Sequence, residues 1–279
     1  MGPVYPVEES MTTIRTFQAS NGKPVILQMG DNIESLRALP ANSVHAVITD
    51  SPYGLSNHDA ADVAACLAAW LKGEEYRPKK GGFMNRVWDS WVPGPELWRE
   101  CYRVLVPGGY LATFAGSRTV DLMGVAIRLA GFEMRDSLTW IYSQGFPKSV
   151  DLSKAIDNAL GEEREVIGVK RGVGGENMND IVRGKAVRDT SETGAKGVGA
   201  YGTGAKQVAV EIPITAPKSP QAKEWNGWGT ALKPAQEPIL LARKPLDGTL
   251  AANLMRHGAG GLNIDACRVP VPAGKKLTT

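Results

Sequence analysis

Between residues 25 and 160 short apolar runs alternate with amphipathic segments, and this alternation restricts the chain more than any other feature. Val25 to Gln28 and Val44 to Thr49 read as strands, the second near-continuously apolar, as strands buried on both faces of a parallel sheet are. Between them Ile33, Leu36 and Leu39 fall on one helical face. The Ala-rich run Asp62 to Leu71 favours helix, and Pro95 suits the first turn of a helix over Glu96 to Val104 that Pro107-Gly108-Gly109 terminates. A third strand over Tyr110 to Ala115, a helix over Thr119 to Ala130 closed by Gly131, a strand over Ser137 to Tyr142 and an Asp151-capped helix over Leu152 to Leu160 continue the series. Strands and helices in alternation predict an α/β domain, doubly wound around a parallel sheet, with ligands beyond the carboxyl ends of the strands.

At about Val169 the pattern stops. The segment to Lys206 is rich in glycine and carries Lys170, Arg171, Arg183, Lys185, Arg188 and Lys196, which predicts a flexible basic loop. Order resumes with a strand over Ile239 to Ala242 and a helix over Leu250 to His257 ended by Gly258. The expected organisation is a tail over 1–24, an α/β domain over 25–168, the loop over 169–206, and a small target-recognition region with a C-terminal tail over 207–279.

A 279-residue chain with 43% hydrophobic and 22% charged residues reads as globular. No apolar run approaches the roughly 18 residues of a membrane span, and the N-terminal segment has no signal-peptide pattern, so a cytoplasmic protein with no membrane association is expected. The net charge of +3 neither demands nor excludes nucleic acid. Cys66, Cys101 and Cys267 are far apart and lack metal-ligand spacing, and His45, His58 and His257 have no such company, so no metal site is expected.

The chemistry concentrates at Val47-Ile48-Thr49-Asp50-Ser51-Pro52-Tyr53-Gly54, where an apolar strand ends in an acid, a turn and an aromatic ring. One reading is a strand followed by a turn, because Asp, Ser, Pro and Gly all favour turns. The other is a grip for a nucleobase amine. The Asp50 carboxylate and the Ser51 carbonyl accept its two N–H groups, Tyr53 stacks on the extruded base, and Pro52 stiffens the turn.

This stretch resembles motif IV of the amino-group DNA methyltransferases, whose signature is D/N/S-P-P-Y/F/W. Segments around it, including FMNRVWDSWVPGPELWRECYRVLVPGGYLATFAGSRT and LKPAQEPILLARKPL, resemble site-specific DNA methylases of phage and prophage type. The resemblance implies a Rossmann-like methyltransferase sheet in β-type motif order, S-adenosyl-L-methionine as cofactor and double-stranded DNA as partner. It implies transfer to adenine N6, with cytosine N4 as the alternative and a truncated, non-catalytic DNA-binding relic as another. Asp50, Ser51, Pro52 and Tyr53 are the implied catalytic residues, and Ser51, standing where a first proline is commonest, is expected to loosen the turn. Gly30 and Asp31 resemble the motif near the cofactor adenine, although Gly-Asp after a strand is also an ordinary helix cap.

Lys148 and Lys233 are candidate substrate-binding residues through phosphate contacts. Trp88 and Trp91 are candidates for the pocket or the core, and Trp225 and Trp228 for an aromatic–basic cluster with Lys223 and Lys233. FAGSRT at 114–119 resembles the cofactor signature FxGxG, but Arg118 replaces its second glycine, and it reads as a strand end lining the pocket. Nothing after Asp265 matches the cofactor motif, so the resemblance implies a sheet incomplete in this chain, with that element on a missing C-terminal segment or a second polypeptide.

Overall fold

The fold was described from a computed structural model, which describes residues 13–55, 58–78, 87–143, 149–174 and 208–269. The chain divides into two compact units, one of residues 1–143 and 235–279 and the other of residues 144–234.

The first unit opens with an antiparallel hairpin of β1 (Thr13–Gln18) and β2 (Pro24–Met29), so the expected N-terminal tail contains a strand. Helix α1 (Asn32–Arg37) leads to β3 (Val44–Asp50), then α2 (Ala60–Lys72), a 3-10 turn at Val87–Asp89, α3 (Pro95–Val104) and β4 (Leu105–Phe114). Next come α4 (Val120–Leu129) and β5 (Glu133–Ile141). After the second unit the chain returns as β8 (Gln236–Arg243), and the helices that follow it, Leu250–His257 and Ile264–Cys267, are named α7 and α8.

The central sheet has the order β3-β4-β8-β5. Only β3 and β4 pair in parallel; β8 runs antiparallel to both its neighbours, Phe114 facing Ile239 and Trp140 facing Glu237. The α/β class is as the alternation predicts, but the sheet is mixed. Its mixed character follows from β8, which the sequence pattern assigns to a separate target-recognition region. β8 instead fills the space between β4 and β5, because its apolar run Ile239 to Ala242 offers Leu240 and Ala242 to the same core.

That core lies on one face of the sheet. Helix α3 buries Pro95, Trp98, Cys101 and Val104, a three-residue spacing that presents a single stripe. Helix α4 adds Leu122, Met123, Ala126 and Ile127, against Leu111 and Ala115 of the β4 segment. Each large side chain buried there contributes roughly 1.5–3 kcal/mol over its exposed state.

The margins differ. Apolar composition predicts Val44 to Thr49 inside a parallel sheet, yet among the described residues β3 is the outermost strand and Ile48 is 79% exposed. It predicts Val25 to Gln28 in the same sheet, yet among the described residues β2 pairs only with β1, and all six of its residues are exposed.

The second unit contains α5 (Leu152–Leu160), a hairpin of β6 (Val166–Gly174) and β7 (Val208–Thr215), and α6 (Pro220–Glu224). The expected α/β domain reaches residue 168 before a loop; the boundary falls instead at 143, and the hairpin reaches into the expected loop as far as Gly174. The remainder of that loop, 175–206, lies outside the described residues.

Asp157 pins this unit. Its carboxylate is fully buried, accepting from the Ser219 hydroxyl at 2.7 Å, from the backbone N–H groups of Lys218 and Ser219, each at 3.0 Å, and from Arg164 at 3.0 Å. Burial alone raises a carboxyl pKa, but here Ser219, the two amides and Arg164 outweigh it and hold Asp157 at about 2 against an ordinary 3.8. A depressed folded-state pKa stabilises the fold above the unfolded value. That stability is therefore expected to fade as pH falls from about 3.8 towards about 2. Acid titration of the Trp225 and Trp228 fluorescence should show this loss, and Asp157→Asn should abolish that part of the pH dependence.

Candidate active site

β3 ends in the turn the sequence singles out. Asp50, its last residue, pairs in register with Phe114 and is exposed, while Tyr53 is half-buried beside it. The Tyr53 hydroxyl donates to the Glu237 carboxylate at 3.2 Å, and the Asp50 carboxylate lies near enough to act on its ionisation. Burial first, then the two carboxylates, raise the Tyr53 pKa strongly, so the phenol stays protonated.

The turn is held at every step. The Ser51 hydroxyl is buried against the Thr113 hydroxyl of β4 at 2.9 Å. The expected loosening at Ser51 is thus offset: this side chain is tied across to the neighbouring strand, a bond that proline cannot make. Asp89, itself buried, accepts from the backbone N–H groups of Tyr53 and Gly54, both at 3.0 Å. Thr119 donates its hydroxyl to the Tyr53 carbonyl oxygen. The His58 ring pairs with the Gly54 carbonyl at 3.0 Å.

Gly54 has φ +63°, and a Cβ there would lie 2.8 Å from the Val92 nitrogen. No other residue type fits this position without backbone movement.

FAGSRT lies against this turn. A Cβ on Gly116 would meet the Tyr53 Cβ at 3.2 Å and the Thr119 hydroxyl at 3.0 Å. The space beside that glycine is already filled by the turn, in keeping with a strand end lining the site and not with a cradle for a ligand.

The two tryptophans of VWDSW part company. Trp91 is a core residue whose indole N–H donates to the Cys66 sulfur at 3.1 Å, whereas Trp88 is 68% exposed. Asp89 between them holds the turn, a role that sequence reasoning misses because an acid between tryptophans has no local mark of a partner 36 residues away.

Asp31 caps α1, its Oδ1 accepting from the Ile33 and Glu34 amides at 2.9 and 3.0 Å. It therefore does what Gly-Asp after a strand ordinarily does. Gly30-Asp31 follows β2 and is not delivered by the strand that carries Asp50.

Lys148 lies outside the described residues, and Lys233 is an exposed residue of the second unit. In that unit Trp225 and Trp228 stack edge to face at 5.1 Å, and Trp228 is 61% exposed. A cleft of about 650 Å³ beside them is lined by Ser149, Asp151, Trp228, Thr230 and Leu232, and it shares no residue with the turn at 50–53. Among the described residues no group of three His, Cys, Asp or Glu side chains could hold a metal ion, and no helix is long and apolar enough to cross a membrane.

A family model described as DNA methylase matches residues 44–168, from β3 through the turn to the start of β6. The chain is 24% identical over 262 residues to the type II methyltransferase M.HindIII of Haemophilus influenzae, covering 84% of this chain and 63% of that protein. It is 27% identical over 130 residues to the type II methyltransferase M.HpaI of Haemophilus parainfluenzae, covering 46% of this chain and 35% of that protein. The chain thus spans less than two thirds of either relative. Among solved structures, TTHA0409 of Thermus thermophilus, described as a DNA modification methylase, aligns at 18% identity over 78% of this chain and 52% of its own, with a TM-score of 0.33. A complex of it with S-adenosyl-L-methionine aligns with a TM-score of 0.32, and at these scores the superposition adds nothing to the assignment. On the matched segment, which contains the acid–turn–aromatic end of β3, the chain is similar to the N6/N4 amino-group DNA methylases.

Proposed function

We propose that this chain is the target-amine half of an S-adenosylmethionine-dependent DNA methyltransferase, and that it methylates adenine N6, cytosine N4 being the alternative. The observation that carries this reading is the turn itself: an exposed carboxylate and a half-buried phenol held side by side at a strand end by buried bonds to Asp89, Thr113 and Thr119.

In this reading the target base leaves the stack, at a cost of about a few kcal/mol, and Tyr53 receives its face. Asp50 and the Ser51 carbonyl accept the two amine N–H groups, which draws the nitrogen lone pair out of conjugation. The bound cofactor supplies an electrophilic methyl carbon. Positive charge developing on that nitrogen would lie beside Asp50, whose carboxylate would stabilise it without forming a covalent bond. Pro52 and the bonds to Asp89 keep these groups in place beforehand, so that little reorganisation is left to the reaction.

The described residues fit the cofactor in part. Both cap bonds of Asp31 use Oδ1, which leaves Oδ2 for a ribose or adenine donor. A glycine cradle for the methionine portion is not found among the described residues. We assign it to a further segment or a second polypeptide, whose contact would cover the exposed apolar residues of β2 and β3. The second unit, with its exposed tryptophans and Lys233, and Lys148 nearby in sequence, is the proposed DNA-recognition part.

The test is transfer of labelled methyl from S-adenosylmethionine to DNA, by the chain alone and with the neighbouring reading frame supplied, followed by mass spectrometry of the nucleosides. N6-methyladenine is expected. N4-methylcytosine would reverse the choice of base, and DNA binding without transfer in either preparation would identify a non-catalytic relic.

A further inference from the structure

The Tyr53 hydroxyl stands between two carboxylates that come from distant parts of the chain. Asp50 ends β3, and Glu237, 184 residues from Tyr53, is the second residue of β8. β8 brings Glu237 to this place because it runs antiparallel to β4: its start lies beside the end of β4, and the Pro238 carbonyl accepts from the Ala115 amide at 3.0 Å. Glu237 is half-buried and has Trp140 of β5 as its cross-strand neighbour.

A phenol has one proton to donate. When it points to Asp50, it draws charge from the carboxylate that the substrate amine needs as acceptor. When it points to Glu237, Asp50 keeps its full acceptor strength. The ring itself is fixed at its backbone by Asp89 and Thr119, so the hydroxyl is the end that still has a choice.

Building on the methyltransferase reading, we infer that Glu237 is a positioning residue: it takes the Tyr53 hydroxyl, holds the ring across the site and leaves Asp50 to the target amine. Glu237 acts through Tyr53 and touches neither base nor cofactor. Burial and the two carboxylates keep the hydroxyl protonated, as a shared donor must be.

The experiment is a double-mutant cycle on methyl transfer by the intact enzyme, with kcat and KM measured separately for wild type, Glu237→Ala, Glu237→Gln, Tyr53→Phe and the Tyr53→Phe/Glu237→Ala pair. One net hydrogen bond corresponds to about tenfold. Glu237→Ala is expected to lower kcat by about that factor with KM for DNA little changed, and Glu237→Gln, whose amide oxygen still accepts, is expected to recover most of it. In the Tyr53→Phe background, Glu237→Ala should cost nothing further.

An unchanged kcat in Glu237→Ala, or the same loss in the Tyr53→Phe background, overturns the inference while the reading of the site stands. Absence of transfer by the wild type itself overturns that reading, and is seen before any variant is made. Should the alanine variant fail to fold, the isosteric Glu237→Gln carries the cycle: kcat near wild type supports the role of an accepting oxygen, and loss as deep as that of Asp50→Ala refutes it.

Discussion

If the chain acts as proposed, Asp50→Ala in the intact enzyme is expected to lower kcat by about 10²–10³-fold, the range found when one preorganised electrostatic partner of a transition state is removed. KM for DNA should change little, because phosphate contacts to basic side chains dominate affinity and residues 50–53 include none. The fold should survive. Asp50 is exposed, its pairing with Phe114 is made by the backbone, and the neighbouring Tyr53 hydroxyl retains Glu237 as its acceptor. Asp50→Asn keeps an accepting oxygen without the charge, so its rate should lie between the two. Protection of DNA from a methylation-sensitive nuclease reports the loss, and circular dichroism checks the fold. Undiminished protection in Asp50→Ala would show that the carboxylate has no part in the reaction.

Asp89→Ala is expected to do the opposite kind of damage, to stability first and to activity as a consequence. One buried oxygen of Asp89 serves both the Tyr53 and Gly54 amides, and alanine leaves both without a partner. A buried amide so orphaned costs about 1–3 kcal/mol, so a destabilisation of about 2–6 kcal/mol is expected for the two. Urea unfolding should show a lower midpoint with an unchanged slope. Asp89→Asn, which retains the acceptor, should restore most of the loss. An Asp89→Ala midpoint equal to wild type would mean that the turn is held without this residue.

The contrast between these two residues shows what the amino-acid sequence makes legible. Asp50 announces itself because acid, turn formers and an aromatic ring follow an apolar strand within eight residues. The helices over Pro95–Val104, Leu152–Leu160 and Leu250–His257 are legible for a similar reason, since proline, capping residues and terminal glycines mark their ends. Asp89 and Glu237 carry no such mark. Their roles come from pairing over 36 and 184 residues, which no local pattern encodes.

Strand order fails for the same reason. The apolar run in β8 is legible as a strand but its neighbours are not, and the sheet takes it between β4 and β5. The β6–β7 hairpin is hidden differently: Gly168, Gly172 and Gly174 interrupt the alternation of β6, so its start blends into the glycine-rich segment beyond. β2 and β3 read correctly as strands and wrongly as interior ones, since apolar composition reports what a strand is suited to and not what covers it.

The bare flank of β3 bears on how this polypeptide behaves in solution. An outermost strand with an apolar face and unpaired backbone groups is a template on which other extended segments assemble, and natural folds protect such rims with charge, proline or a covering element. The interior of β3, His45-Ala46-Val47-Ile48, has none of the acids, lysines or prolines that discourage stacking. Among the described residues nothing pairs with this rim, so self-association through it is a hazard in concentrating the polypeptide, and a charged gatekeeper in place of Ile48 is the natural remedy.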